Sequence, residues 1–216
     1  MLKVVRQTVV IFVLLTILTG ILYPLGITAI AKICFPNRAE GSLVDKDGKL
    51  TTDEKAAVGS ALIGQNFDQP QYFWPRPSAT AVTGGADSLP YNAAQSTGSN
   101  LGPTNSALTD AIKGRIDVLR KADPSNSSAI PVDLVTASGS GLDPDESVAA
   151  AEFQKNRVAA ARGTTPEKIE ALIMASTEEP TLGLLGERVV NVLALNVALD
   201  RQFPVKTAPA TGPAAQ

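Results

Sequence analysis

The chain has 216 residues, 44% of them hydrophobic and 19% charged, with a formal net charge of −2. That length holds one ordinary domain plus an extra segment, and the apolar fraction allows a real core. No cationic block and no histidine occur, which excludes nucleic-acid binding, Ser-His-Asp and Cys-His catalysis, and histidine-ligated zinc. The single cysteine, Cys34, has no partner for an internal disulfide and reads as a passive residue at a helix end.

The first element is membrane-directed. A short cationic head, residues 1–7 with Lys3 and Arg6, precedes an uncharged apolar run over 8–31. At about 1.5 Å of rise per residue, that run spans a hydrocarbon core of about 30 Å. Pro24 removes a backbone donor and predicts a kink near Tyr23, while Gly20 and Gly26 flank the kink and admit a neighbouring helix. Ala29-Ile30-Ala31 has the form of a cleavage site, but a signal's apolar region is shorter than this one. The run reads as a retained single-pass anchor, and its short cationic head as an uncleaved export signal. That form places the C-terminal domain outside the cytoplasm.

A single soluble mixed α/β domain is expected over 32–203, giving an α+β chain. Asp47-Gly48 marks a turn, and residues 59–67 (GSALIGQNF) form a strand candidate. Residues 69–80 set Tyr72, Phe73 and Trp74 among Pro70, Pro75 and Pro77, which excludes both a helix and a central strand. This rigid segment reads either as a plug over the core or as a partner interface formed by Tyr72, Phe73, Trp74 and Arg76. Residues 81–105 are loop-like. Leu108, Ile112, Ile116 and Leu119 then stand at helical spacing before Asp123-Pro124. A β-branched strand is predicted over 129–137 and a helix over 144–162, stopped by Gly163. A further helix opens at Thr165-Pro166, and 188–200 reads as a buried strand or a strand-to-helix turn. The tail from 204 to 216, rich in Ala, Pro and Thr, is expected to be disordered.

Residues 136–147 (TASGSGLDPDES) carry the only stretch with the look of a site. It lacks the Gly-Lys-Ser/Thr of a phosphate loop, the third glycine of a dinucleotide fingerprint and the alternating acids of a calcium loop. Ser138 or Ser140 as a nucleophile would have no base, so no catalytic residue and no metal site is assigned. As local structure it reads as a strand-to-helix turn, with Asp143 at the N-cap, Pro144 at N1 and Glu146 at N3. A Gly-rich turn before a helix also suits an anion, so nucleotide or partner contact at Ser138, Gly139, Ser140 and Gly141 stays open.

Seven stretches in order resemble one family: residues 19–24 (TGILYP), 59–67, 72–80 (YFWPRPSAT), 99–105 (SNLGPTN), 131–144 (PVDLVTASGSGLDP), 154–163 (QKNRVAAARG) and 190–200 (VNVLALNVALD). Together they resemble the C subunit of Kdp-type potassium-transporting P-type ATPases. The resemblance implies an accessory, non-catalytic, single-pass subunit of a bacterial inner-membrane potassium pump. Its partners would be a channel-like potassium-binding subunit and an ATP-hydrolysing subunit. It would act as a catalytic chaperone that raises the ATPase subunit's affinity for ATP, with no cofactor of its own and ATP entering only through the complex. Thr97 departs from the family's repeated glycine, and Asp145-Glu146 replaces a frequent His-Ile pair. An external domain could not touch cytoplasmic ATP, so a chaperone effect would have to cross the membrane. The competing readings are a stand-alone anchored binding module and an anchored hydrolase using Ser138 or Ser140.

Overall fold

The computed structural model describes residues 1–81 and 89–205. Leu2–Cys34 forms one continuous helix of 33 residues. It comprises α1 (Leu2–Ile17), a π-helical turn (Leu18–Leu22) and α2 (Tyr23–Cys34). The π turn sits where Pro24 requires it. Pro24 offers no N–H to the Gly20 carbonyl and crowds it, so the backbone widens and the Tyr23 N–H reaches back to the Leu18 carbonyl. The Thr8, Thr16 and Thr19 hydroxyls donate to carbonyls four residues back at 3.0, 2.8 and 2.8 Å, which satisfies them within an apolar stretch. No residue of this helix is buried, and the helix is long and apolar enough to cross a membrane.

After the short α3 (Pro36–Ala39), an antiparallel sheet in the order β2-β1-β3 is built from β1 (Leu43–Asp45), β2 (Leu50–Thr51) and β3 (Ala57–Ser60). The Asp47-Gly48 turn forms as the sequence indicates: Asp45 Oδ1 accepts from the Asp47 and Lys49 N–H groups, and Gly48 takes φ +75°. The strand predicted over 59–67 is displaced, because β3 ends at Ser60.

The larger part of the domain holds α4 (Ser106–Ala122), β4 (Asp145–Ser147), α5 (Val148–Arg162), α6 (Pro166–Ala175), β5 (Thr177–Glu178), β6 (Val189–Asn191) and α7 (Val192–Gln202). A second antiparallel sheet runs β4-β6-β5, with Asp145 opposite Asn191 and Glu146 opposite Val190. The fold is therefore α+β behind one N-terminal helix. Two strands pass straight into helices: the Ser147 hydroxyl caps α5 by accepting from the Ala150 N–H, and the Asn191 side chain caps α7 by accepting from the Ala194 N–H. The Gly163 left-handed cap stands as read, at φ +64°.

Two local predictions fail. The capping box at Asp143 and Glu146 does not exist, because residues 145–147 pair with β6 and delay the helix to Val148. The β-branched stretch 129–137 is no strand. It contains a 3₁₀ turn, Val132–Leu134, that sends Leu134 and Val135 into the core. Strand propensity yields here to context: the Asp133 side chain, not a backbone ladder, meets the β4 edge by accepting from the Ser147 N–H. Of the loop 81–105, residues 82–88 lie outside the described residues, as do residues 206–216 of the predicted disordered tail.

The main core joins Phe73, Val158, Ile169, Ile173, Val190 and Leu195. A second cluster sets Leu119 of α4 against Leu134, Val135 and Phe153, with Trp74 at its edge.

Candidate functional site

The prolines keep residues 69–80 out of any sheet, so their backbone needs other partners. Two helix carboxamides supply them. Asn196 Oδ1 accepts from the Phe73 N–H at 2.9 Å, and its Nδ2 donates to the Phe73 carbonyl at 3.0 Å. Gln154 Oε1 accepts from the Trp74 N–H at 2.8 Å, and its Nε2 donates to the Trp74 carbonyl at 3.1 Å. Each amide thus plays the part of one residue of a neighbouring strand, one from α7 and one from α5. Two arginines of α5 complete the clamp. Arg157 donates to the Pro70 and Tyr72 carbonyls and lies over the Trp74 ring at 4.3 Å. Arg162 donates to the Gln71 carbonyl, lies over Tyr72 at 4.9 Å and pairs with Asp200 at 2.7 Å.

This geometry divides the four aromatic-segment candidates. Phe73 is 0% exposed and part of the main core, so it offers nothing to a partner and fills the plug role. Tyr72 and Trp74 are half-buried, with edges held by Asp200 and by the Gln69 carbonyl. Arg76 bridges to Asp143 at 2.7 Å. Asp143, freed from the expected cap, ties the proline segment to the Gly-rich loop.

That loop is likewise bonded inward. Ser138 is buried, its N–H donates to the Pro77 carbonyl and its Oγ accepts from the Gly141 N–H. The Gly141 carbonyl accepts from Ser78 Oγ at 2.7 Å, and the Leu142 N–H donates to Ser140 Oγ. Gly141 takes φ +68°, and a Cβ there would meet Thr80 and the Thr97 carbonyl at 2.6 Å, so only glycine fits. The N–H groups of Ser138, Gly141 and Leu142, which a phosphate would need, are already used. Of the four candidates, Ser138 and Gly141 are buried, while Gly139 and Ser140 are exposed.

Beside the proline segment lies an open cleft of about 510 Å³, bounded on the far side by α4. Trp74, Pro75 and Val118 give it apolar walls, while Arg76 and Arg115 bring two guanidinium groups. The Arg76 Nε is buried without a hydrogen-bond partner, and burial lowers the Arg115 pKa. Such a cleft can hold an apolar group with an anionic end. Below the clamp, Glu146 is buried, with Oε2 accepting from Gln154 Nε2 at 2.9 Å and Oε1 unpartnered. Burial and the nearby Asp133 carboxylate push its pKa well above the ordinary value, against the pull of Arg157.

The clamp residues Gln154, Arg157, Arg162 and Asn196 escape a sequence reading aimed at motifs. Their signal was present in Asn196, a polar residue inside the apolar run 188–200, and in polar side chains on the core face of an alanine-rich helix.

Residues 5–201 match the family model described as "K+-transporting ATPase, c chain". The chain belongs to the KdpC family. A relative from Polaromonas naphthalenivorans, called "Potassium-transporting ATPase KdpC subunit", is 55% identical over 203 residues, 94% of this chain and 97% of its own length. One of the same name from Variovorax paradoxus is 56% identical over 92% of this chain and 96% of its own. Another from Herpetosiphon aurantiacus is 52% identical over 91% and 95%. The KdpC match takes in the apolar helix from Val5 onward, the clamp, the Gly-rich loop and all of α7 but its last residue.

Proposed function

We propose that this chain is a single-pass accessory subunit of an ATP-driven potassium pump in a bacterial inner membrane. It assembles with a channel-like potassium-binding subunit and an ATP-hydrolysing subunit and performs no chemistry itself. The observation that carries this reading is the 33-residue apolar helix without a single buried residue, joined to a domain of the KdpC family. An apolar helix of that kind gains from lipid and from the helices of a larger membrane protein.

The domain lies outside the cytoplasm, following the cationic head at Lys3 and Arg6. Its effect is that of a catalytic chaperone: by binding one state of the pump better than another, it raises the ATPase subunit's affinity for ATP across the membrane. ATP therefore does not contact this chain. Of the candidate residues, Gly139, Ser140, Tyr72, Trp74 and Arg76 retain exposed surface for a partner. Protease treatment of intact spheroplasts tests the orientation. Digestion of the domain from outside is expected; full protection, with digestion only after lysis, would place it inside and overturn the transmembrane route.

A further inference from the structure

Between β5 and β6 the chain folds into a tight turn whose residues 181–188 are all exposed. Leu182, Leu184 and Leu185 are 87%, 85% and 66% exposed. The first two are the most exposed large apolar side chains among the described residues beyond Cys34. The turn is firmly built. The Thr181 N–H donates to the Leu185 carbonyl at 2.8 Å, the Leu185 N–H to the Thr181 carbonyl at 3.0 Å, and the Gly183 N–H to the Pro180 carbonyl at 2.8 Å. Leu182 is held at φ +57°, a left-handed conformation that strains a residue with a Cβ and persists where the surroundings impose it. The backbone is thus ordered to present three leucines to water, where burial would favour them.

The collar around the tip is acidic. Glu178, Glu179 and Glu187 are exposed, and Arg188 is committed to Glu179 at 2.9 Å. Among the described residues no cation pairs with Glu178 or Glu187. An anionic lipid surface repels such a collar, whereas an apolar protein pocket with a basic rim complements it. We propose that Leu182, Leu184 and Leu185 form a preorganised docking tip, seated in an apolar, Lys/Arg-rimmed pocket of another polypeptide subunit of the pump. The proposal rests on the subunit reading above and adds the surface and its partner's chemistry. Because the turn is ordered before contact, docking costs little conformational entropy.

The test uses the full chain co-expressed with the remaining pump subunits. A Leu184→Cys variant in a Cys34→Ser background is labelled with an environment-sensitive fluorophore. Blue-shifted emission is expected in the assembled complex and not in the chain alone in nanodiscs. Leu182→Ser with Leu185→Ser should weaken association by about tenfold or more, as loss of interface anchors does, with the thermal midpoint unchanged. Glu178→Lys with Glu187→Lys should weaken it in the same direction. Unshifted emission in the complex overturns the proposal. So does an equal shift for the chain alone in nanodiscs, which would mean lipid, or a shift growing with its own concentration, which would mean a second copy. A drop in the thermal midpoint would make the leucines folding elements and overturn it too. If the wild-type chain fails to co-purify, the subunit reading fails with it; co-purification with an unshifted probe sinks the tip alone.

Discussion

Glu146 is a carboxyl that burial penalises. It is paired with Val190 in the β4–β6 ladder and fully buried, with one carboxyl oxygen bonded to Gln154 and the other unpartnered. Burial and Asp133 raise its pKa above the ordinary 4.5, while Arg157, whose own pKa falls to about 10, stays charged at neutral pH. The sign follows from linkage: a carboxyl with a raised folded-state pKa stabilises most below its unfolded pKa, and that contribution is lost as pH rises through the folded value. Glu146→Gln keeps the shape and removes the charge. Its melting temperature should exceed that of the wild type at neutral pH, and the gap should close as pH falls towards 4. A gap that is independent of pH across that range would contradict a buried, titrating Glu146.

At the scale of elements, the proline segment replaces a strand that the fold does without. Its backbone polar groups at Phe73 and Trp74 are met by side chains of α7 and α5 instead of by a ladder. Asn196→Ala would leave the Phe73 N–H and carbonyl buried and unbonded. Since each such group costs about 1–3 kcal/mol, the two together should cost the domain about 2–6 kcal/mol in denaturant unfolding. A loss below about 1 kcal/mol would mean that water or a rearranged backbone replaces the amide. Much of the element order was legible in sequence because periodicity and local stops are local signals. The α4 spacing, the Pro124 stop, the Gly163 cap and the strand-to-helix passage at 188–200 all depend on near neighbours. What was not legible depends on distant ones. Asp143-Pro144-Asp145-Glu146 satisfies a capping box on paper, yet residues 189–191 claim it for a sheet. Residues 129–137 have strand composition, yet they meet the β4 edge through the Asp133 side chain instead of a ladder. The clamp was hidden for the same reason, since Asn196 lies 123 residues from Phe73.

At the scale of the molecule, two features point away from independent life. The Leu2–Cys34 helix buries none of its residues within the chain, and the β5–β6 turn holds leucines in solvent. The Gly-rich loop that first resembles an active site is a joint: Ser138 and Gly141 lock it to the proline segment, and Arg76–Asp143 bolts the two together. Of the candidate site, the sequence singled out two stretches that the structure joins, because glycine and proline clusters report backbone need. It could not reveal that their polar groups face each other, since that pairing spans the chain.

The central claim is tested most directly by purifying the pump in detergent from cells that express all its subunits, with and without this chain. Potassium-stimulated ATP hydrolysis is then measured against ATP concentration. The chain is expected to co-elute with the larger subunits, and its omission should abolish potassium-stimulated hydrolysis or raise the KM for ATP. Elution as a lone monomer, with hydrolysis and KM unchanged by its omission, would contradict the account.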